Sequence, residues 1–210
     1  MKKFGSILLV FLFGTTAFAV NTSPSSLKIR VYRAELCTSG DCETGCFSVY
    51  SGDDYTQMIP GPELSKTDVP IGTYNCVRME LSDTIKFKPA DNAAGGVCVA
   101  DTEMTQDVNS AGSPSTGVLF DGTEYAGAAG EQKIAVYIST WSTNERGDGR
   151  PPTVEGDGVH GIKLQSPLVV TASTGGVFYL DGTDQVYVNG AACELEVPRF
   201  GFRAPRTDGT

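Results

Sequence analysis

Short runs in which apolar and polar residues alternate constrain this chain more than any other feature of its sequence. The alternation is clear over residues 27–32 and again over 76–81. An apolar residue at every second position is typical of a strand with one buried face. Turn pairs such as Asp121–Gly122 and Asn189–Gly190 separate the runs and favour hairpins. Outside the first 19 residues no segment keeps a helical period over ten residues, so the sequence predicts an all-β fold.

The number and spacing of the predicted strands indicate an antiparallel β-sandwich with a Greek-key-like, transthyretin-like or immunoglobulin-like topology. A first hairpin joins residues 27–32 to 46–50 across a cysteine-rich turn, and a long strand runs from residue 76 towards 88. Further strands are predicted at 96–100, 117–120, 132–140, 161–164, 168–171, 177–180, 185–188 and 192–197.

Two long polar segments interrupt this pattern. Residues 102–116 and 142–160 are rich in Gly, Pro, Ser and Asp and are too long for simple hairpin loops, so each is predicted to be a functional or a mobile loop. We expect one sandwich domain over residues 20–210, which is within the usual length of an all-β domain. The alternative is two small sandwiches that meet within residues 105–116.

The first 19 residues have the three parts of a secretory signal peptide. Lys2 and Lys3 precede the apolar run Ile7–Phe13, and Ala17 and Ala19 are small residues at the two positions that signal peptidase reads. A membrane anchor is the alternative, but this run is shorter than the roughly 20 residues that cross a bilayer. We therefore predict cleavage after Ala19, export to the periplasm, cell surface or medium, and no membrane span in the mature chain.

The exported part of the chain is strongly acidic. The whole chain has 25 Asp and Glu against 16 Lys and Arg, a net charge of −9, and loss of residues 1–19 removes two lysines and takes it to −11. A surface of this sign repels phosphate backbones, so the sequence predicts no nucleic-acid partner. A protein or a glycan partner is compatible with it, and the oligomeric state stays open.

All six cysteines follow the predicted cleavage site, which favours disulfides formed in an oxidising compartment. The pairing is left open by the sequence. One bridge within the cluster at 37–46 can close a small surface loop, and the last two cysteines are far enough apart to link distant strands. A zinc site of three thiolates is the alternative, but a fourth ligand at the required spacing is missing. The six are Cys37, Cys42, Cys46, Cys76, Cys98 and Cys193.

Four stretches of the chain form a recognisable order. They read S-L-K-I-R-V-Y-R-A-E-L, V-P-I-G-T-Y-N-C-V-R-M-E-L, L-Q-S-P-L-V-V-T and G-G-V-F-Y-L-D-G-T. In this order they resemble exported bacterial β-sandwich domains of the transthyretin-like (prealbumin-like) type, over about half of the mature chain. The resemblance implies that Gly72 lets the chain turn into the sheet and that Tyr74 packs at its edge. It implies a sandwich fold and an exported protein, but no activity.

The strand predicted at 132–140 carries the best candidates for ligand binding. Tyr137 and Trp141 fall on the face opposite Ile134, Val136 and Ile138. If that face is exposed, the two rings lie about 13 Å apart along the strand and form a platform for stacking on sugar rings. The alternative is that both faces are covered, since tryptophan is usually largely buried.

The single histidine, His160, decides whether a Ser-His-Asp hydrolase is available, because such an enzyme would need it as the base. The sequence has no G-x-S-x-G motif, and Gly158 and Gly161 lie close to the histidine in a polar segment. We therefore expect an ordinary solvated histidine and assign no catalytic residue. The hydrolase hypothesis requires His160 to lie beside a serine or a carboxylate in a cleft.

Carboxylates concentrate in predicted turns, where flexible loops can present several oxygens to calcium. Asp-Gly pairs are also what an ordinary β-turn prefers, so we predict no cofactor, with structural calcium as the alternative. The candidate ligands are Asp148, Glu155, Asp157, Asp181 and Asp184.

Three functional hypotheses follow. The first is a non-enzymatic exported β-sandwich protein that binds a partner or joins a surface assembly through its loops or a sheet edge. The second is a carbohydrate-binding module that uses Tyr137 and Trp141. The third is a secreted hydrolase that uses His160.

Overall fold

The computed structural model describes residues 21–59, 69–93, 96–112, 116–171 and 177–203. The predicted signal peptide, residues 1–19, lies outside these ranges. Within them the chain forms fifteen strands and no α-helix, which confirms the all-β prediction. The strands are β1 (Pro24–Cys37), β2 (Cys46–Ser51), β3 (Tyr55–Gln57), β4 (Gly72–Tyr74), β5 (Cys76–Pro89), β6 (Met104–Asp107), β7 (Thr116–Val118), β8 (Glu124–Ala126), β9 (Lys133–Ser139), β10 (Ile162–Lys163), β11 (Leu168–Val170), β12 (Val177–Asp181), β13 (Val186–Asn189), β14 (Ala192–Leu195) and β15 (Arg199–Arg203).

Seven of these strands form one main sheet. Its order is β10-β9-β5-β1-β2, with β3 paired to β1 and β6 paired to β5. Neighbouring strands are antiparallel except β9 and β10, which are parallel. β1 and β2 form the hairpin predicted across the cysteine-rich turn. Since β1 and β5 are each 14 residues long, they contribute most of the side chains on both faces of the sheet.

One face of β1, β5 and β9 is apolar, since pairing places their alternating apolar residues in rows. Irregular pairing around Val31 inserts one extra residue into β1, so its inward residues are odd-numbered before this point and even-numbered after it. A β-bulge has this effect because side chains alternate with a period of two. The larger buried cluster lies on this face. Its central rows are Val31–Leu81–Ile134, Ala34–Met79–Val136 and Leu36–Val77–Ile138.

Three two-stranded ribbons, β4–β11, β12–β15 and β13–β14, cover the apolar face. They join the same buried cluster as the sheet, and the cluster contains residues from both sides of 105–116. In the described residues the cover is a set of ribbons and not a second continuous sheet, so a specific Greek-key, transthyretin-like or immunoglobulin-like topology is not confirmed. The ribbon residues in the cluster are Tyr74, Leu168, Leu180, Val186, Leu195 and Phe200.

The structure differs from the predicted strands in two neighbouring segments. The prediction of a strand at 96–100 is wrong: the segment turns, and Cys98 is buried through its disulfide while its carbonyl accepts a hydrogen bond from Ala93 N at 3.0 Å. The predicted loop at 102–116 contains β6, which pairs antiparallel to β5. β6 escaped prediction because its residues are partly exposed at a sheet edge and carry no apolar alternation.

The structure pairs all six cysteines, which confirms the predicted disulfides. Cys37–Cys46 closes the small loop between β1 and β2, and Cys42–Cys76 ties that loop to β5. Cys98–Cys193 joins the turn after β5 to β14 across 95 residues of sequence. The zinc alternative is wrong, because the three clustered cysteines are all in disulfides and offer no thiolate.

Candidate functional site

The second face of β1, β5 and β9 is charged and polar, although it is covered. Pairing of the strands forms the row Glu35–Arg78–Tyr137, and the adjacent row ends at Ala135. We call this surface the cystine face, because Cys37 and Cys76 also lie on it and both are half-cystines. A smaller buried cluster lies here, made of Cys37, Cys42, Cys76, Ala135 and Tyr137.

A cystine-anchored loop, residues 38–45, covers one end of this face. Cys42 within the loop is bonded to Cys76 of β5, and the Cys37–Cys46 disulfide closes the base of the loop between β1 and β2. The loop therefore cannot leave the sheet without breaking a covalent bond. The Asp41 carboxylate accepts hydrogen bonds from the backbone amides of Glu43 at 2.8 Å and Thr44 at 3.2 Å. The loop therefore has both covalent and hydrogen-bonded support, and its position over the sheet is well defined.

A buried carboxylate between two guanidinium groups occupies the middle of the cystine face. Glu35 has only 4% of its side chain exposed, and it pairs with Arg33 and Arg78. Arg78 donates from Nε to Glu35 Oε2 at 2.7 Å and from Nη1 to the Cys42 carbonyl at 3.1 Å. Arg78 thus connects three parts of the face. In the adjacent row Glu80 lies opposite Arg33 and pairs with Lys133 at 3.9 Å.

Phe120 lies over both guanidinium groups. Its ring centroid is 4.4 Å from the Arg78 guanidinium carbon and 5.5 Å from that of Arg33, which are cation–π distances. The Phe120 amide donates to Glu80 Oε1 at 3.0 Å, which fixes the turn between β7 and β8 on the sheet. Phe120 is also 6.1 Å from the Tyr137 ring, so arginine and aromatic side chains form one packed group.

Two tyrosines hold the β7–β8 ribbon against β9. The Tyr137 hydroxyl donates to the Val118 carbonyl at 2.7 Å, and burial raises the pKa of Tyr137 above its usual range. The Tyr125 hydroxyl donates to the Ala135 carbonyl at 2.9 Å and accepts from the Ala135 amide at 3.2 Å. Burial raises the pKa of Tyr125 to about 12. Both hydroxyls therefore stay protonated, and that of Tyr125 satisfies backbone groups at the edge of β9.

A cleft opens between these elements, with a volume of about 370 Å³. We call it the cystine cleft. This volume is within the usual range for small-ligand sites. Among its charged side chains are two guanidinium groups, those of Arg78 and Arg150, and one carboxylate, that of Glu43. The lining residues are Glu43, Arg78, Val118, Leu119, Phe120, Gly122, Tyr137, Arg150, Pro151, Thr153 and His160.

His160 is not the isolated, solvated residue that we expected from the sequence. Its side chain is 31% exposed, and Nδ1 lies 3.0 Å from Asp157 Oδ2, while Nε2 lies 4.0 Å from Asp148 Oδ2. Hydrogen bonds from the backbone amides of His160 and Val159 lower the pKa of Asp157. Since an ionised carboxylate only accepts hydrogen bonds, Nδ1 donates to Asp157 and Nε2 is the nitrogen left for other partners.

The aromatic platform required an exposed face of β9, and the structure instead has the covered alternative at Tyr137, while Trp141 is partly buried. Tyr137 is only 3% exposed and lies beneath the β7–β8 ribbon. Trp141 packs directly on Gly40 of the cystine-anchored loop, where a Cβ would overlap the indole ring. The sequence assigned Tyr137 to the correct face of β9, whereas Trp141 lies in the turn beyond the end of this strand. The sequence gave no sign of the elements that cover that face.

The five predicted metal ligands do not meet at one point, although Asp148 and Asp157 both lie beside the His160 ring. Asp157 is occupied by backbone amides and by His160, and the Asp181 carboxylate accepts from Thr183 Oγ1 at 2.6 Å. Asp184 lies in the turn after β12, and Glu155 is exposed in the loop before β10. Within the described ranges, no group of three or more His, Cys, Asp or Glu side chains is placed to hold a metal ion.

Sequence reasoning found Tyr137 and His160 but missed Glu35, Arg78 and Phe120. A usable signal was present in the strands. Glu35 is two residues before Cys37 and Arg78 is two residues after Cys76, so each charged residue shares a strand face with a cysteine. A face that carries half-cystines must be covered by whatever the cysteines bond to, and its charges are then partly buried.

No protein-family model matches the chain, and comparisons with curated proteins and with solved structures likewise found no match. The resemblance to transthyretin-like domains therefore stays a prediction. In the part of the chain that the structure describes, we find no helix long and apolar enough to cross a membrane.

Proposed function

We propose that this chain is an exported, non-enzymatic binding protein that holds a carboxylate group of a partner molecule in the cystine cleft. The observation that carries the proposal is the arginine group beneath Phe120, in which Arg33 and Arg78 share the single buried carboxylate of Glu35. Three disulfides support export, because cystines of this kind persist in oxidising compartments.

The charge of the cleft is opposite to that of the chain. The whole chain has a net charge of −9, yet the cleft is lined by the guanidinium groups of Arg78 and Arg150 against the single carboxylate of Glu43. At the rim, Arg150 offsets Glu43, and its ion pair with the exposed Glu124 is long, at 3.5 Å. One excess positive charge complements a carboxylate better than a phosphate, which carries a charge of about −1.5 to −2 near neutral pH.

The cleft is also prepared for binding before a ligand arrives. Arg78 is held by Glu35 and by the Cys42 carbonyl, and Phe120 is held by Glu80. A site whose side chains are already fixed loses little conformational entropy on binding. Arg150 lies at the rim with about a third of its side chain exposed, so it is the guanidinium group most available to an incoming carboxylate.

The proposal is tested by titrating the protein with N-acetylglutamate amide and with N-acetylglutamine amide, which has the same shape but no charge. We expect amide chemical shifts of residues 118–122 and 150–160 to respond to the glutamate probe and much less to the glutamine probe. Arg150→Gln should weaken the response to glutamate several-fold.

Arg146→Gln is the matched control, because Arg146 is an exposed arginine paired with a glutamate outside the cystine cleft. Equal responses to the two probes, or loss of the response in Arg146→Gln but not in Arg150→Gln, would contradict the proposal. A glucuronate titration with the same readout shows whether a carboxylate on a sugar ring is preferred to one on a peptide.

The position of His160 supports a second candidate, the hydrolase. The ring lies beside carboxylates and lines the cystine cleft, as that hypothesis requires, and Asp157 orients it with Nε2 available as a base for water. In the described part of the chain both ring nitrogens face carboxylates and not a serine hydroxyl. Hydrolysis of 4-nitrophenyl succinate that His160→Ala abolishes would favour this candidate over the binding protein.

A further inference from the structure

A second internal space lies on the apolar face of the main sheet, and it shares no lining residue with the cystine cleft on the opposite face. We call it the apolar cavity. It has a volume of about 140 Å³ and lies between Leu81 and Ile134 of the sheet and Leu195 and Phe200 of the C-terminal segment. A cavity of about 150 Å³ lined by such residues stays dry and holds a benzene molecule. The apolar cavity therefore has room for about six carbon atoms.

The apolar cavity reaches the surface beside its exposed lining residues. Val108 and Val197 are 39% and 37% exposed and Glu196 is also exposed, whereas the remaining lining residues are buried or partly buried. The entrance therefore lies beside these two valines. A ligand can enter there without separating the ribbons from the sheet.

A polar cleft of about 560 Å³ adjoins this entrance, because Glu196 and Val197 line both spaces. Strand alternation connects them further. In β10, Ile162 lines the apolar cavity while Lys163 lines the polar cleft, and at the start of β15 Phe200 and Arg199 are divided in the same way. Apolar walls and cationic side chains thus lie on either side of one short stretch of chain.

Two of the three cations that line the polar cleft, Arg146 and Lys163, are held by exposed ion pairs, and the third, Arg199, is itself exposed. Arg146 pairs with Glu196 at 3.3 Å and Lys163 pairs with Glu145 at 3.5 Å, and all four side chains are at least 42% exposed. Exposed pairs of this kind are weak. An anionic group that is anchored nearby can therefore replace a glutamate as the partner of either cation.

We propose that the apolar cavity and the polar cleft together bind a single-chain amphiphile with an anionic head, of the class of medium-chain carboxylic acids. The hydrocarbon tail enters beside Val197 and fills the apolar cavity. The carboxylate stays in the polar cleft, where Lys163 and Arg199 face it. This site shares no lining residue with the cystine cleft, so it does not depend on the function proposed above.

The test is calorimetric titration of the disulfide-intact protein with butanoate, hexanoate, octanoate and decanoate. Each methylene transferred from water into the cavity should tighten binding about fourfold. The increase should continue until the tail has about six carbons in the cavity, and the affinity should then level off. Absence of binding across the series, or an affinity that does not change with chain length, overturns the proposal.

Val136→Phe separates filling of the cavity from general surface binding. Val136 lines the apolar cavity from the middle of β9, so a phenyl ring there occupies the space of the tail and should weaken octanoate binding more than tenfold. Val169→Phe makes the same change at a residue of β11 that is 51% exposed and does not line the cavity, and it should leave binding unchanged. Equal affinities in the two variants overturn the proposal.

Lys163→Gln combined with Arg199→Gln tests the head group and does not rely on a core substitution. Both side chains are exposed or half-exposed, so the variant should fold. We expect octanoate to bind at least fivefold more weakly and 1-octanol to bind as before. If both ligands weaken equally, the assignment of the head group is wrong. Arg150→Gln should not change octanoate binding, so failure here is distinguishable from failure of the cystine cleft.

Discussion

The two faces of β1, β5 and β9 bury their residues by different means. On the apolar face the rows around Met79 and Leu81 pack against three separate ribbons. On the cystine face Glu35 and Arg78 are each the next residue along the strand from a residue of the apolar face. They are covered by a short disulfide-linked loop and the β7–β8 ribbon. Charges are tolerated there because each is paired and the cover is held covalently.

The comparison shows why the candidate site lies on the cystine face. Apolar packing depends little on direction, so it suits a cover assembled from several ribbons. A buried carboxylate needs donors at defined positions, and the strand register of Glu35, Arg78 and Tyr137 supplies them. Specific recognition requires charged groups that are fixed beside a cleft, and the cystine face has them. The apolar face instead has a space lined by apolar side chains.

The largest effect should come from the disulfide on the apolar side. Replacing both Cys98 and Cys193 with Ala releases a loop of 95 residues, and loop-closure entropy predicts a loss of about 4.7 kcal/mol in the free energy of unfolding. Replacing Cys37 and Cys46 opens a loop of only 9 residues and should cost about 2.6 kcal/mol. Chemical denaturation of the two double variants measures both values.

The ratio of these two losses tests whether the faces differ as described. A larger loss for the Cys37–Cys46 pair than for Cys98–Cys193 would mean that the charged packing of the cystine face depends on its loop more than chain entropy predicts. In that case the response of residues 118–122 to N-acetylglutamate amide should disappear with the same variant.

The second effect concerns the carboxylate of the cystine face. Glu35→Gln keeps the shape of the side chain but leaves the poorly exposed Arg78 without its anionic partner, and we expect a loss of about 3 kcal/mol. Glu103→Gln is the matched control, since Glu103 pairs with Lys28 on the surface and both side chains are 41% exposed. That change should cost less than about 1 kcal/mol. Equal losses would show that Glu35 is effectively solvated.

The smallest effect should be a gain in stability when Asp83 is replaced. Asp83 is a fully buried carboxyl group at an irregular point of β5. Burial raises its pKa, and the neighbouring acids Asp107 and Glu131 add to this. A carboxyl whose pKa is higher in the folded state stabilises the fold below its unfolded pKa of about 3.9, and this contribution is lost as the pH rises. Asp83→Asn should therefore raise Tm at pH 7 and have little effect at pH 3.

Asp157→Asn should change Tm at pH 7 in the opposite direction. The amides of His160 and Val159 lower the pKa of Asp157, so its contribution is present above the unfolded pKa and is lost as the pH falls. This variant should have a lower Tm than the wild type at pH 7, with the difference narrowing towards acid. If both variants shift Tm in the same direction at pH 7, the assigned environments of the two carboxylates are wrong.

Strand prediction succeeded where burial is one-sided and failed at the edges. β1, β5 and β9 alternate clearly because one face of each packs against a large apolar cluster. β3, β6 and β8 are short and partly exposed, so no alternation marks them. At 96–100 the sequence resembles a strand because Cys98 and its neighbours are apolar, but the segment turns, Cys98 is buried at its disulfide and Val99 is 43% exposed.

The candidate site was only partly predictable for a related reason. Tyr137 was assigned to the correct face, but its exposure was left open by the sequence because the residues that cover it come from other parts of the chain. The Asp157–His160 contact is local, three residues apart, and such a contact is within the reach of sequence reasoning. The Glu35–Arg78 pair spans 43 residues, and only the register of β1 and β5 brings it together.

By itself the sequence determined the all-β class, the apolar rows and the capacity for three disulfides, because each depends on residue type and local spacing. The tertiary structure decided which cysteines pair, which face of the sheet is covered and which charges meet beneath Phe120. These outcomes depend on strand register and on the path of the loops, and a shift of one residue in register would move every side chain to the opposite face.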